Sequence, residues 1–230
     1  MHAKQTNDLA VASSIFSGAY GAEISLAVEQ NSSLLVHWLT YLSSYHKTGV
    51  GDVLLDAVAS AIREAAGALS LGLVRPALFS MRSQIDLLLG WLYFKDHRVE
   101  WLHVNQTGDG FRLKKELLNY LDLHIPGFGA RIGTLREIKT RNEVDPYRLL
   151  SAHIHAQSVP VLPVVTDLVD LVRPKSACLE CAEVSFEVAE FLNDLLLAVY
   201  AANWASLPVP VQSALLSRFK SAEQQRAFFP

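Results

Sequence analysis

A short segment near residue 150 brings together side chains that can do acid–base and phosphate chemistry. It reads Asp145-Pro-Tyr-Arg-Leu-Leu-Ser-Ala-His-Ile-His155. Aspartate followed by proline is a strong helix-start signal, so we expect a helix to begin at Pro146. At about 100° per residue, Arg148, Ser151 and His155 then lie along one narrow strip of that helix, and His153 lies on another face.

Such a strip suits work on a phosphodiester. Histidine can move a proton near neutral pH, the planar fork of arginine holds phosphate oxygens, and Ser151 supplies a hydrogen bond that positions a substrate. A structural role is the other interpretation, in which these polar groups hydrogen-bond and hold a helix in its packing. The sequence leaves both interpretations open.

The spacings Arg148-x4-His153 and Arg148-x6-His155 resemble the R-x(4–6)-H signature of the HEPN superfamily. Members of that superfamily are all-helical bacterial and archaeal domains, often dimeric. Many of them are metal-independent ribonucleases of toxin–antitoxin and phage-defence systems. The resemblance covers one motif and the helical class. Arg98-x4-His103 repeats the spacing at a predicted helix end before a loop.

This resemblance implies a catalytic site at which arginine and histidine side chains of two protomers meet. His155 would be the general base or acid, and Arg148 would stabilise the charge of the phosphorane. Ser151 and His153 would orient the scissile phosphate of an RNA substrate, with neither a cofactor nor a metal ion. The alternative function is a non-catalytic helical subunit of a bacterial defence or toxin–antitoxin complex, which docks on a partner protein or a second copy.

A second polar group interrupts the most apolar part of the sequence. The predicted helix over about residues 76–95 is apolar around most of its circumference, which is typical of a central helix. Arg82 and Asp86 lie four residues apart on it and can pair, and a buried arginine needs such a partner. The alternative is a pocket beside the strip described above, lined by Arg75, Arg82, Asp86 and Tyr147. A small-ligand pocket around Arg82 and Trp91 is a third hypothesis.

Residues 111–148 form a locally basic stretch. Eight basic residues stand there against five acidic ones, a local charge of +3 in a chain whose formal net charge is −3. The basic residues are Arg112, Lys114, Lys115, Arg131, Arg136, Lys139, Arg141 and Arg148. This pattern is compatible with an RNA-facing surface, and equally with the solvated face of a pair of helices.

Composition and periodicity predict an all-α protein. Half of the residues are hydrophobic, apolar positions recur at helical spacing, and strand signals are missing. We expect a bundle of about 8–10 helices with about 65–75% helix, well above the usual third. Pro208 and Pro210 separate a C-terminal helical appendage, residues 208–230, from a single domain of residues 1–207. Another helix is expected to start after the prolines at 160 and 163 and to end near Val172.

The two cysteines and the N-terminal sequence bear on the compartment. Cys178 and Cys181 form a lone C-x-x-C, most simply two thiols one turn apart on a helix, since a zinc site needs two further ligands. The first residues lack the basic and apolar regions of a signal peptide, and charges interrupt the most apolar stretches. We therefore expect a cytoplasmic protein without membrane contact. No P-loop or dinucleotide-binding motif is present.

Overall fold

The protein is an all-helical bundle, as its sequence predicts. A computed structural model describes residues 2–229, with the backbone alone for residue 2. The chain is 78% helical, and no strand occurs in the described range. Eleven α-helices result if α1 and α2, which continue into each other, count as one.

The helices follow one another with short connections. They are α1 (His2–Phe16), a π-helix (Ser17–Gly21), α2 (Ala22–Asn31), α3 (Ser33–Tyr45), α4 (Val53–Ser70), α5 (Val74–Phe94), α6 (Arg98–Thr107), α7 (Lys114–His124), α8 (Phe128–Glu137), α9 (Pro146–Ile154), α10 (Lys175–Tyr200), α11 (Val209–Arg218) and α12 (Ala222–Phe228). Short three-ten helices lie at Val159–Val161, Leu168–Leu171 and Ala201–Ser206.

The chain forms two compact units, each assembled from three separate segments. The first unit comprises Met1–Ser33, Ser60–Gln84 and Asp145–Val188. The second unit comprises Leu34–Ala59, Ile85–Val144 and Ala189–Pro230. Helices α4, α5 and α10 therefore each contribute residues to both units.

Helix α5 is the apolar core helix that the sequence predicts. In the first unit, Ala77 and Met81 of this helix are fully buried, and in the second unit so are Trp91 and Phe94. A helix that is apolar around most of its circumference buries most of its surface, which explains why so few charges occur along it; Phe79 stays 39% exposed. The fold class predicted from this pattern is confirmed.

The C-terminal segment belongs to the second unit. Val211 and Leu215 of α11 and Phe228 of α12 are fully buried there. Ser221 separates the two helices, and its Oγ accepts a hydrogen bond from the Gln224 backbone N–H at 3.2 Å, which starts α12. The predicted domain boundary between residues 207 and 208 stays a prediction.

The prediction of a helix that starts after Pro160 and Pro163 and ends near Val172 is wrong. Two short three-ten helices stand in its place, Val159–Val161 and Leu168–Leu171. Pro160 and Pro163 each remove a backbone donor, which prevents a continuous helical ladder. Asp170 Oδ2 then accepts from the backbone N–H of Asp167 at 2.9 Å, which stabilises a turn instead.

Both cysteines lie on α10 as free, buried thiols, which agrees with the simplest interpretation of the C-x-x-C. Burial raises the pKa of the Cys181 thiol to about 12, with Cys178 adding to the rise. Burial also raises the pKa of Cys178. Because the thiolate is the reactive form, these cysteines are poor nucleophiles near neutral pH. Within the described range, no group of three or more potential ligands could hold a metal ion.

The first two helices leave several large apolar side chains exposed. By length and composition, the continuous stretch Ala3–Asn31 is able to cross a bilayer, and 22% of its most apolar window is buried. Val11, Ile15 and Leu26 are half or more exposed. The expectation that the protein avoids membranes stays a prediction.

Gly72 holds the turn after α4 against the start of α10. Its φ is +83°, and a Cβ there would lie 2.7 Å from Val172 Cγ1. Gly49 has a similar φ of +78° but open space around a Cβ. Alanine at either position would adopt a left-handed backbone conformation, which costs about 1–2 kcal/mol. Only at Gly72 would the new Cβ also clash with Val172.

We therefore expect Gly72→Ala to lower the free energy of unfolding by about 1–3 kcal/mol more than Gly49→Ala does. Urea denaturation followed by circular dichroism measures both losses. Equal losses would show that Val172 moves away without cost.

Candidate functional site

Helix α9 carries the strip of polar side chains and starts where the sequence predicts. Asp145 is its N-cap residue and Pro146 its first residue. Leu150 is fully buried and fixes the apolar side of the helix. Arg148 and His155 are exposed, so the two ends of the strip face solvent.

His155 lies directly after the last helical residue. Its backbone N–H donates to the Ser151 carbonyl at 2.9 Å, which closes the last turn. It stands seven positions after Arg148, so the two Cα atoms are about 10 Å apart along the axis and lie on one face. This distance leaves room for a phosphodiester group between the two side chains.

Arg82 of α5 contacts the middle of the strip. Its Nε donates to Ser151 Oγ at 3.2 Å, and its Nη2 donates to the hydroxyl of Tyr147. The guanidinium carbon lies 4.5 Å from the centroid of the Tyr147 ring, a cation–π contact. The structure therefore brings Arg82, Tyr147 and Ser151 together, and the pocket hypothesis for these residues stays a prediction.

Arg75 lies at the other end of α9. Its Nη2 is 3.5 Å from the Ile154 carbonyl, a long hydrogen bond to an end of the helix that carries partial negative charge. Its guanidinium carbon lies 5.4 Å from the centroid of the Phe79 ring. Arg75 thus places a positive charge beside the C-terminal end of α9, close enough to act on His153.

His153 is half-buried on the side of α9 that faces this charge. Burial lowers the pKa of its imidazole from the ordinary 6.5, and the charge of Arg75 lowers it further. The imidazole is therefore neutral near pH 7. A neutral imidazole has one ring nitrogen free to accept a proton.

This lowered pKa predicts a pH dependence of stability. Below about pH 6.5 the unfolded chain protonates His153 and the folded chain resists it, so the free energy of unfolding falls as the pH falls. We expect wild type to lose more stability between pH 7.5 and 5.5 than His153→Gln, measured by urea denaturation. His46, whose pKa is lowered by burial and by Lys95, remains in both proteins and provides the shared part of the slope. Parallel slopes would contradict the prediction.

Two further predicted residues, Asp86 and Trp91, belong to the second unit. Asp86 is half-buried on the part of α5 that belongs to the second unit. Trp91, also in the second unit, is fully buried, and its indole N–H donates to Asp52 Oδ1 at 3.1 Å. Trp91 is therefore an anchor for the turn before α4, where Asp52 also accepts from the Gly49 backbone N–H at 2.7 Å.

Several basic residues of the stretch 111–148 bond to other groups of the protein. Lys139 Nζ donates to the carbonyls of Arg141 and Asn142 at 2.6 and 2.8 Å. Arg131 Nη1 donates to the carbonyls of Pro126 and Ala198 at 2.9 and 3.1 Å. Arg141 itself is buried. Consequently the burial of Arg141 removes one positive charge from this surface, and backbone carbonyls hold the side chains of Lys139 and Arg131 in place.

A buried cluster of four charges in the second unit escaped sequence analysis. Its members are Arg141, Glu190, Asp194 and Arg218. Asp194 Oδ2 lies 2.5 Å from Arg141 Nη1, and Asp194 Oδ1 lies 2.7 Å from Arg218 Nη1. Two acidic residues one turn apart in the apolar run of α10 are the signal that could have revealed it.

The cluster ties three parts of the second unit together. Glu190 accepts from the Thr140 backbone N–H at 2.9 Å, and Arg218 donates to the carbonyls of Ile138 and Leu135 at 3.2 and 3.1 Å. Burial alone would raise the pKa of Glu190, but the bonds from Thr140 and the charge of Arg218 lower it overall. Two positive and two negative groups with many internal bonds indicate a structural role.

Comparison with known proteins finds no family model, no curated protein and no solved structure that matches this chain. The candidate site therefore depends on the chain's own residues. Those residues are Arg75, Arg82, Tyr147, Arg148, Ser151, His153 and His155, all of which lie in the first unit.

Proposed function

We propose that the protein is a HEPN-like, metal-independent ribonuclease of a bacterial defence or toxin–antitoxin system. The observation that carries this proposal is the exposure of Arg148 and His155 on one face of α9, with Ser151 between them held by Arg82. A structural strip would have its donors buried and bonded within the protein. These two side chains instead face solvent, where a substrate reaches them.

The charge of the site supports a phosphate-bearing substrate. Arg75, Arg82 and Arg148 place three guanidinium groups on or beside α9. Guanidinium groups bind phosphate oxygens through paired hydrogen bonds. Arg82 is also pre-positioned by Tyr147 and Ser151, so less side-chain entropy is lost when it binds an anion.

The proposed reaction uses the 2′-hydroxyl of RNA. A histidine takes the proton of this hydroxyl, and the hydroxyl oxygen attacks the adjacent phosphorus. The protonated histidine then gives that proton to the 5′ oxygen as the bond from phosphorus to this oxygen breaks. His155 carries out the proton transfer at the exposed end of the strip. Arg148 stabilises the negative charge of the phosphorane, while Ser151, which lies on the same strip, orients the phosphate. A cyclic 2′,3′-phosphate and a 5′-hydroxyl result.

A non-catalytic interaction subunit is the second candidate function. The poorly covered helix Ala3–Asn31, with Val11, Ile15 and Leu26 exposed, favours it. Exposed apolar stretches of this kind are typical of docking surfaces. A partner protein or a second copy would cover them in such a complex.

The two candidates differ in one experiment. Purified full-length protein is incubated with end-labelled RNA, and separately with DNA of the same sequence, in the presence of EDTA. The ribonuclease hypothesis predicts cleavage of RNA into products with cyclic phosphate ends, while DNA, which lacks the 2′-hydroxyl, stays intact. Intact RNA, or cleavage that EDTA abolishes, would remove the first candidate and leave the second.

A further inference from the structure

A cavity of about 410 Å³ opens in the second unit, whereas the residues of the proposed ribonuclease site belong to the first unit. It is lined by Tyr41, Tyr45, His46, Asn203 and Ser206. The first three come from the end of α3 and the residue after it, and the last two from the three-ten helix Ala201–Ser206. This volume suits a small molecule of one or two rings.

Two aromatic rings with different surroundings form one wall. Tyr41 is buried, packs edge-on against Trp38, and its hydroxyl is 3.0 Å from Ser206 Oγ. Tyr45 is 77% exposed, with its ring centroid 5.5 Å from that of Tyr41. A tyrosine left so exposed beside a cavity offers an apolar face that its own packing does not use.

The polar groups of the cavity are uncharged. Ser206 Oγ donates to the Asn203 carbonyl at 2.9 Å and therefore accepts from the Tyr41 hydroxyl. The side-chain amide of Asn203 offers both a donor and an acceptor. Burial and nearby Lys95 lower the pKa of His46, so its imidazole is neutral near pH 7. A phosphate or carboxylate ligand would find no ionic partner among the lining residues.

The angles between the rings exclude a slot for a flat molecule. The Tyr41 ring is tilted by 47° from that of Tyr45 and by 54° from that of His46. A nucleobase stacked on one of these rings therefore cannot stack on the next. A puckered ring with hydroxyl groups fits such a wall, since it needs one aromatic face and several hydrogen-bonding groups.

We propose that this cavity binds a neutral saccharide, with an apolar face of the sugar ring on Tyr45 and its hydroxyls on Asn203, Ser206 and His46. The binding is independent of RNA cleavage, because none of these residues belongs to the α9 site. Because the sugar and the residues that line the cavity are both uncharged, binding buries no unpaired charge.

Saturation-transfer NMR on the full chain tests this proposal. The probes are glucose, galactose, mannose, N-acetylglucosamine, maltose and cellobiose, with adenosine and AMP as flat-ring comparisons. We expect saturable binding of at least one saccharide and weaker binding of both comparisons. Tyr45→Ala removes the stacking face, and we expect it to raise the Kd of the saccharide by about tenfold. Asn203→Ala weakens it as well.

Tyr20→Ala provides the matched control, because Tyr20 is an exposed tyrosine of the first unit and its loss leaves saccharide binding unchanged. Tyr45 is exposed, so its variant folds like wild type, which circular dichroism checks. Three results would overturn the proposal. They are no saturation by any saccharide up to the tens of millimolar, preferred binding of adenosine or AMP, and saccharide binding that Tyr45→Ala leaves intact.

Discussion

Asp194→Ala lowers the free energy of unfolding by about 3–5 kcal/mol, because it leaves two buried guanidinium groups with one carboxylate, Glu190, where they had two. Asp194 is 3% exposed and bonds both Arg141 and Arg218. Burial raises the pKa of the Asp194 carboxyl, and the two guanidinium groups oppose that rise. Urea denaturation followed by tryptophan fluorescence measures the loss.

Glu23→Ala is the matched control for this loss. Glu23 lies 2.8 Å from Lys175, but the two side chains are 56% and 36% exposed. An exposed pair contributes at most about 1 kcal/mol, so the control stays within that limit. If Asp194→Ala cost no more than Glu23→Ala, the cluster would contribute little to the stability of the second unit.

His155→Ala is expected to slow RNA cleavage by about 10²–10⁴-fold, the usual contribution of a positioned acid or base. Arg148→Ala removes charge stabilisation in the transition state and is expected to slow it by about 10²–10³-fold. Both side chains are exposed, so the free energy of unfolding should change by less than about 0.5 kcal/mol. Single-turnover cleavage in EDTA, run beside urea denaturation, separates the two effects.

The chain supplies its own control for this experiment. Arg98 and His103 have the R-x4-H spacing on α6, and both are exposed. Alanine at either position should leave cleavage unchanged, because neither residue lies in the group around α9. If His103→Ala slowed cleavage as strongly as His155→Ala, the spacing alone would have misplaced the active site.

The helix that holds the candidate site was predictable because its signals are local. The Asp145-Pro146 start needs two adjacent residues, and the periodicity around Leu150 needs a few turns. The contacts of Arg82 were predictable only as alternatives, since Tyr147 and Ser151 lie 65 and 69 residues away along the chain. The spacing of residues along one helix shows which of them are neighbours on that helix. It does not show whether a side chain contacts such a neighbour or a residue of another helix.

The buried charges show the same limit more strongly. Arg141 and Asp194 are 53 residues apart, and Asp194 and Arg218 are 24 apart. In sequence, Arg141 belongs to a basic stretch and Asp194 interrupts an apolar run. A charged residue considered alone is expected to be exposed to solvent. Only the packing of the second unit shows that Arg141 and Asp194 are buried.

The discontinuous make-up of the units has a consequence during synthesis. The first unit needs residues from its opening segment, which ends at Ser33, and from a last segment that ends at Val188. At about 5–20 residues per second, a ribosome needs roughly 8–30 s to go from Ser33 to Val188. Until the last segment is made, the residues of α4 and α5 in the first unit lack part of the unit that buries them. The nascent chain is thus a natural client for chaperones that shield hydrophobic surface.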